Sequence, residues 1–231
     1  DNYVMQGIYN VFVKTYKRFP KEVQMSKEFD LDLAYKINGK SDAKRVYSDW
    51  AESYEVNLVA EMGYVAPRKI ADIYRENSTN DLPVLDVSAG TGLLGQQLEG
   101  LTVDAIDITP AMLEIAREKY IYRELITGDL TEKLDIDDEM YGGIVSCGTF
   151  THGHVGPECF PELLRIAKSG ALFCCGTIYP VLDGLGFGSE LAKLVSHRKI
   201  SPVSFREIEI YDKGDHSHSE DKGIVMVFRK L

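Results

Sequence analysis

LDVSAGTGLLG, residues 85–95, joins a short apolar run to a glycine-rich turn. It contains G-x-G-x-x-G at Gly90, Gly92 and Gly95, a pattern typical of folds that hold a dinucleotide pyrophosphate at a helix N-terminus. Asp86 lies four residues before the first glycine, where its carboxylate would repel a pyrophosphate. The stretch therefore predicts a strand, a turn and a helix that let a ligand approach the backbone closely, and it favours a cationic ligand.

Strand-like and helix-like segments alternate through most of the chain. The predicted strands cover residues 83–87, 102–108, 122–129, 143–150, 171–179, 204–214 and 222–231. The predicted helices between them cover residues 92–100, 109–120, 157–170 and 189–199. The last two strands have no helix between them, so they should pair as an antiparallel hairpin at one edge. We therefore predict an α/β fold with a Rossmann-like, seven-stranded, mostly parallel sheet, an antiparallel C-terminal hairpin strand and helices on both faces.

The N-terminal part of the chain is predicted to be helical. Residues 1–36 have apolar positions at helical spacing, and we expect residues 1–40 to form a helical extension or lid on a main domain of residues 41–231. Residues 43–77 should form two helices that break near Gly63 and Pro67, with Ser41 or Asp42 as the N-cap. Thr109 should cap a later helix that has proline at its first position.

Composition limits the classes of partner. The formal net charge is −10 with a pI near 5.0, which argues against a nucleic-acid or anionic-membrane partner, because phosphate binding needs clustered Lys and Arg. No apolar run approaches the roughly 20 residues of a membrane span. The four cysteines form no C-x-x-C, so we expect buried free thiols, no metal site and a reducing, cytoplasmic location.

Three carboxylates end three successive predicted strands: Asp86, Asp107 and Asp129. The carboxyl ends of parallel strands form the ligand-binding edge of such a sheet. Asp107 suits the hydroxyls of a ribose, and Asp129 could accept a hydrogen bond from an adenine amino group. S-adenosylmethionine offers a ribose, an adenine, an ammonium and a sulfonium without any phosphate. An NAD-dependent oxidoreductase is the weaker alternative, because Gly92 and Asp107 are closer in sequence than the usual spacing of about 20 residues.

The chain resembles the class I S-adenosylmethionine-dependent methyltransferases over roughly residues 44–231. LDVSAGTGLLG resembles the first motif, VDAIDITPAMLEIAREK the second, ITGDL the third and YGGIVSCGTFTHGHV the fourth. VYSDWAESYE is similar to the helix that covers the cofactor in many members with small substrates. GTFTHGHVGPE and GYVAP look most like the methyltransferase-like proteins of the Williams–Beuren region and their bacterial relatives.

The resemblance implies S-adenosylmethionine as the cofactor and assigns it a set of binding residues. These are Trp50, Tyr54, Asp86, Ser88, Ala89, Gly90, Gly92, Leu93, Asp107, Ile108, Met112, Asp129, Leu130, Cys147 and Thr149. By resemblance, Asp86 would meet the methionine ammonium, directly or through water, and Gly90 would lie against the methionine portion. Asp107 would bind the ribose, and Asp129 with the Leu130 backbone would read the adenine edge.

The remaining cofactor residues divide between packing and covering roles. Ile108 and Met112 would pack on the adenine, and Cys147 and Thr149 would line the methyl side. Trp50 and Tyr54 would close over the cofactor. Two features depart from the family pattern: Ser88 replaces the first glycine, at a cost if its φ is positive, and Tyr141-Gly142-Gly143 lacks the aspartate that usually follows an aromatic residue.

The acceptor side is less constrained by sequence. His152 and His154 are the candidate catalytic residues, as a base or as substrate contacts, and Tyr47 and Tyr179 are candidate substrate residues, although packing roles are open for all four. We predict methyl transfer to a small molecule by in-line displacement. A protein or RNA methyltransferase and a non-catalytic S-adenosylmethionine-binding regulator stay as alternatives. The acceptor atom and the oligomeric state are left open.

Overall fold

The computed structural model describes residues 37, 39–51, 53–151, 155–212 and 216–231. The predicted helical extension over residues 1–36 lies outside these ranges, and so do His152 and His154. The division into residues 1–40 and 41–231 therefore stays a prediction.

One seven-stranded sheet organises the described chain, in the order β3-β2-β1-β4-β5-β7-β6. Its strands are β1 Val84–Val87, β2 Val103–Asp107, β3 Leu125–Thr127, β4 Tyr141–Phe150, β5 Ala167–Ile178, β6 Ser204–Glu209 and β7 Lys222–Arg229. The first five strands run parallel, and β7 is antiparallel to both β5 and β6. The predicted Rossmann-like, mostly parallel sheet with an antiparallel C-terminal hairpin is confirmed.

Helices cover both faces of the sheet. They are α1 Lys40–Trp50, α2 Ala66–Asn77, α3 Leu93–Gln97, α4 Pro110–Arg117, α5 Phe160–Ile166, α6 Tyr179–Gly184 and α7 Phe187–Ser196, with a π-helical segment at Val56–Glu61 and a 3-10 turn at Pro157–Cys159. Ile70 and Tyr74 of α2 pack with Val84 on one face, and Phe160 and Phe187 pack with Leu85, which points to the other face. Burial on both faces explains why the central strands are mostly apolar.

Several predicted boundaries are wrong. The predicted helix over residues 157–170 ends at Ile166, because strand pairing begins there: the Met140 N–H donates to the Ile166 carbonyl at 2.8 Å, and Tyr141 pairs with Ala167. The region predicted as two helices over residues 43–77 contains α1, the π-helical segment and α2.

The predicted caps also differ from the structure. α1 is capped by Gly39 rather than by Ser41 or Asp42, and this N-cap makes no side-chain hydrogen bond. Thr109 is the N-cap of α4, as predicted, but its hydroxyl makes no capping hydrogen bond. Helix α6 was not predicted at all. At these helix ends, tertiary pairing and packing outweigh the local preference of the sequence.

In the described ranges, every helix falls short of the length and apolar character that crossing a membrane requires. Cys159, Cys174 and Cys175 are buried free thiols, and Cys147 is a free, partly buried one.

Candidate functional site

A cavity lies at the carboxyl ends of the parallel strands and is covered by α1 and the segment that follows it. One part of its lining, here called the carboxylate side, comprises Ser88, Gly90, Asp107, Ile108, Thr109, Met112, Gly128, Asp129, Leu130 and Thr131. The other part, here called the tyrosine side, comprises Tyr54, Leu58, Tyr64, Ala66, Ile70, Cys147, Gly148, Thr149, Thr151, Val155, Gly176, Thr177, Ile178, Ile208, Ile210, Tyr211 and Gly223. Ala43, Tyr47 and Trp50 of α1 complete the lining above both sides.

Asp107, at the end of β2, ties the first two strand–helix turns together. Its Oδ2 accepts a hydrogen bond from the Gly90 N–H at 2.8 Å, and its Oδ1 accepts one from the Thr109 N–H at 2.8 Å. The residue is only 8% exposed, and burial raises the pKa of its carboxyl against the opposing effect of the Thr109 and Gly90 hydrogen bonds. The carboxylate is thus held rigidly at the cavity wall, with lone pairs left for a ligand.

The three glycines of the turn have separate tasks. Gly90 has φ 55°, and a Cβ there would meet no atom within 4 Å, so its backbone faces open space. Gly92 and Gly95 instead make room for Tyr122: a Cβ on Gly95 would lie 2.3 Å from the Tyr122 hydroxyl oxygen. The G-x-G-x-x-G spacing is therefore explained by a turn and by the packing of an aromatic ring on α3. Ser88 has φ 54°, so the predicted backbone cost is present.

Asp86 is buried in the core rather than at the cavity surface. It is 1% exposed and does not line the cavity, and its Oδ2 accepts a hydrogen bond from the Tyr122 hydroxyl at 2.6 Å. Burial raises the pKa of its carboxyl to about 7, and nearby Asp107 adds to the effect. A direct contact between Asp86 and a ligand would require the side chain to leave this position.

The end of β3 forms a second polar corner of the carboxylate side. Asp129 Oδ1 accepts hydrogen bonds from the Thr131 N–H at 2.9 Å and from the Thr131 hydroxyl at 2.7 Å. Ile108, Met112 and Leu130 line the same side with apolar surface. A flat heterocycle with a polar edge fits such a combination.

The tyrosine side is aromatic and uncharged in its described lining. The Tyr64 hydroxyl and the Cys147 thiol lie 3.0 Å apart in a hydrogen bond, and the rings of Tyr64 and Tyr211 have centroids 5.7 Å apart. Burial raises the pKa of the Cys147 thiol to about 12 and the pKa values of Tyr54 and Tyr64 well above 10.0. These groups therefore stay protonated at neutral pH and act as hydrogen-bonding and packing groups.

Tyr47 of α1 joins the aromatic cover. Its ring centroid lies 5.9 Å from that of Trp50 and 5.9 Å from that of Tyr54, both in edge-to-face geometry. Lys119, which follows α4, pairs with Glu55, just before the π-helical segment, and donates a hydrogen bond to Gln96 Oε1 at 3.0 Å. This ion pair fastens the covering segment to the body of the domain.

The structure brings most of the predicted residues to this cavity. They are Tyr47, Trp50, Tyr54, Ser88, Gly90, Asp107, Ile108, Met112, Asp129, Leu130, Cys147 and Thr149. Asp86, Ala89, Gly92 and Leu93 support the turn without lining the cavity. Tyr179 lies away from it, 51% exposed, and its hydroxyl donates to Glu207 at 2.8 Å.

Sequence reasoning missed the part of the lining that comes from the C-terminal hairpin and the start of α2. Ile208, Ile210 and Gly223 belong to the hairpin, and Tyr64 and Tyr211 pair in an isolated antiparallel bridge. The alternation of Ile208 and Ile210 with Glu207 and Glu209 was a usable signal for an inward face.

Comparison with known proteins agrees with this geometry. Residues 85–175 match the model of the methyltransferase domain family. This match supports the predicted class I S-adenosylmethionine-dependent methyltransferase domain. Its cofactor is S-adenosylmethionine. The narrower resemblance to the Williams–Beuren region proteins is not tested by these matches and stays a prediction.

Individual relatives are more distant. The chain is 33% identical over 103 residues to the demethylmenaquinone methyltransferase of Chlorobaculum tepidum, which covers 43% of this chain. The match spans 41% of that relative's own length. A TehB-like S-adenosylmethionine-dependent methyltransferase from Corynebacterium glutamicum has the same fold with a TM-score of 0.56 and 17% identity, over 80% of this chain and 98% of that one. The [4+2]-cyclase SpnF also shares the fold, with a TM-score of 0.61 and 14% identity over 84% and 98% of the two chains.

Proposed function

We propose that this protein transfers the methyl group of S-adenosylmethionine to a small-molecule acceptor by in-line displacement and releases S-adenosylhomocysteine. The observation that carries the proposal is the continuity of one cavity from the carboxylate side to the tyrosine side. The first side has the chemistry for a nucleoside, and the second offers a separate, largely apolar space next to it. The name of the Chlorobaculum relative, which acts on demethylmenaquinone, supports a small acceptor.

The carboxylate side suits the cofactor in three ways. Asp107 would accept hydrogen bonds from the ribose hydroxyls, because its carboxylate lines the cavity while backbone N–H groups fix both oxygens. Ile108, Met112 and Leu130 would pack on the adenine, and Asp129 would bind the adenine amino group. Gly90 would let the methionine portion approach the backbone, since no atom occupies the space that a Cβ would enter.

S-adenosylmethionine supplies an electrophilic methyl group on a sulfonium. The protein's own contribution is alignment of the acceptor and exclusion of water. Trp50 would cover the cofactor together with Tyr54, although Tyr54 belongs to the tyrosine side, and Cys147 and Thr149 at the end of β4 would line the methyl side. His152 and His154 stay candidate bases or acceptor contacts, and they lie outside the described residues. We expect the protein to be located in the cytoplasm.

Titration calorimetry with S-adenosylhomocysteine tests the cofactor site. Asp107→Asn keeps the size of the side chain but removes its charge, and we expect affinity to fall about 10- to 100-fold, the usual worth of hydrogen bonds to a charged group. Asp183→Asn, at an exposed position on α6, serves as the matched control and should bind like the wild type.

Thermal unfolding of both variants separates loss of binding from loss of folding. A folded wild type that binds no S-adenosylhomocysteine would refute the proposal. Equal affinity of the wild type and Asp107→Asn would refute the role given to Asp107.

A further inference from the structure

The tyrosine side of the cavity has a composition that restricts what it can bind. Its described lining contains no Asp, Glu, Lys or Arg, whereas the carboxylate side contains Asp107 and Asp129. Its polar groups are hydroxyls, one thiol and backbone. A charged molecule placed there would lose its hydration without gaining an opposite charge from the described lining, which is costly.

Aromatic rings give the same space a shape preference. Tyr64 and Tyr211 lie side by side with ring planes inclined by 43°, and an antiparallel bridge between their backbones fixes their separation. Ile208 and Ile210 line the space from the strand leading to Tyr211, and Ile70 lines it from α2. Ring faces and edges held at fixed positions favour another ring, through offset or edge-to-face packing.

A polar anchor lies at the boundary between the two sides. The Tyr64 hydroxyl and the Cys147 thiol form a hydrogen bond at 3.0 Å, and a Cβ on neighbouring Gly148 would be 3.8 Å from that hydroxyl. A ligand hydroxyl or carbonyl could therefore exchange hydrogen bonds with the Tyr64 hydroxyl, beside Gly148. The anchor would fix the orientation of the ring through its polar substituent.

We infer that the tyrosine side is the acceptor subsite and that it takes an uncharged aromatic ring bearing a small polar substituent. The inference rests on the proposed function and narrows its acceptor to this chemical class. Tyr211 is the residue that would select for the ring, and Tyr64 is the one that would orient it.

Three naphthalene derivatives that differ in charge provide the test: 2-naphthol, 2-naphthoate and 2-naphthylmethylamine. Each is titrated at neutral pH into protein saturated with S-adenosylhomocysteine, where the first is neutral, the second anionic and the third cationic. We expect 2-naphthol to bind at least tenfold more tightly than either charged analogue. Tighter or equal binding of the anion or the cation would overturn the inference.

Variants of Tyr211 test whether 2-naphthol binds on the tyrosine side. Tyr211→Leu removes the ring and should weaken 2-naphthol binding about tenfold while leaving S-adenosylhomocysteine affinity unchanged. Tyr211→Phe keeps the ring and should restore binding. Phe205→Leu, at an exposed aromatic position on the same hairpin, is the matched control and should behave like the wild type.

The outcomes distinguish this inference from the proposed methyltransferase function on which it rests. Binding of S-adenosylhomocysteine without binding of 2-naphthol refutes the aromatic subsite alone. Failure of S-adenosylhomocysteine to bind refutes both. Binding of 2-naphthol that is unchanged in Tyr211→Leu places the ring elsewhere and overturns the assignment of this surface.

Discussion

Asp86 has a carboxyl group whose pKa lies well above its usual value in water. It lies in the buried strand β1, with the Tyr122 hydroxyl 2.6 Å from its carboxylate. Burial raises its pKa from 3.8 to about 7. In the unfolded chain the carboxyl loses its proton near pH 4, whereas the folded protein retains the proton until about pH 7. Asp86 therefore costs stability as pH rises through this window, and the cost is constant above it.

Asp86→Asn should remove this pH dependence. We expect the free energy of unfolding of the wild type, relative to the variant, to fall by about 2–4 kcal/mol between pH 4 and pH 7, at roughly 1.4 kcal/mol for each unit of pKa difference. Urea unfolding of both proteins across this pH range measures the difference in their free energies of unfolding. The contributions of the other carboxylates are common to both proteins and cancel in this difference. Parallel curves for the two proteins would show that Asp86 titrates normally in the folded state.

At the scale of elements, the short helix α3 depends on its contact with Tyr122. The helix has five residues, and its N-cap is Gly92, whose φ of 89° favours glycine. The Tyr122 side chain lies against it so closely that a Cβ on Gly95 would be 2.4 Å from ring atom Cζ. The Tyr122 hydroxyl also donates a hydrogen bond to Asp86, so this tyrosine joins β1 to the helix that follows it.

Gly95→Ala should therefore destabilise the protein by about 1–3 kcal/mol, as expected when a packed site is overfilled. Gly188→Ala, in helix α7, is the matched control, because a Cβ there would meet nothing within 4 Å. The control should be neutral or stabilising by up to about 1 kcal/mol, since alanine favours helix. Chemical unfolding measures both changes, and equal stability of the two variants would contradict the contact described for Tyr122.

At the scale of the whole molecule, the sheet and half of the site could be predicted from sequence. Alternating apolar runs and helical segments specify a parallel sheet, and the strand-end positions of Asp107 and Asp129 place both carboxylates at one edge. The tyrosine side could not be predicted in this way. Tyr64 and Tyr211 are far apart in the sequence, and only the bridge between two long-range segments brings them together. Strand β5 begins early for the same reason, because its first residues pair with β4.

The sequence also assigns Tyr179 and Asp86 to the site, and neither residue lines the cavity. The sequence around a tyrosine that follows a buried strand does not indicate whether its side chain lines a cavity or lies on the surface. Tyr179 is exposed. Asp86 follows the family pattern, yet Tyr122, well separated from it in sequence, holds its carboxylate inside the core. Both outcomes depend on tertiary contacts that a linear pattern does not encode.

We propose that one cavity holds the methyl donor on its carboxylate side and the acceptor on its tyrosine side. A crystal structure of the protein with S-adenosylhomocysteine tests it most directly. We expect the ribose on Asp107, the adenine between Ile108, Met112 and Leu130, and the sulfur directed toward Cys147. A ligand bound with its adenine on the tyrosine side, or outside this cavity, would contradict it.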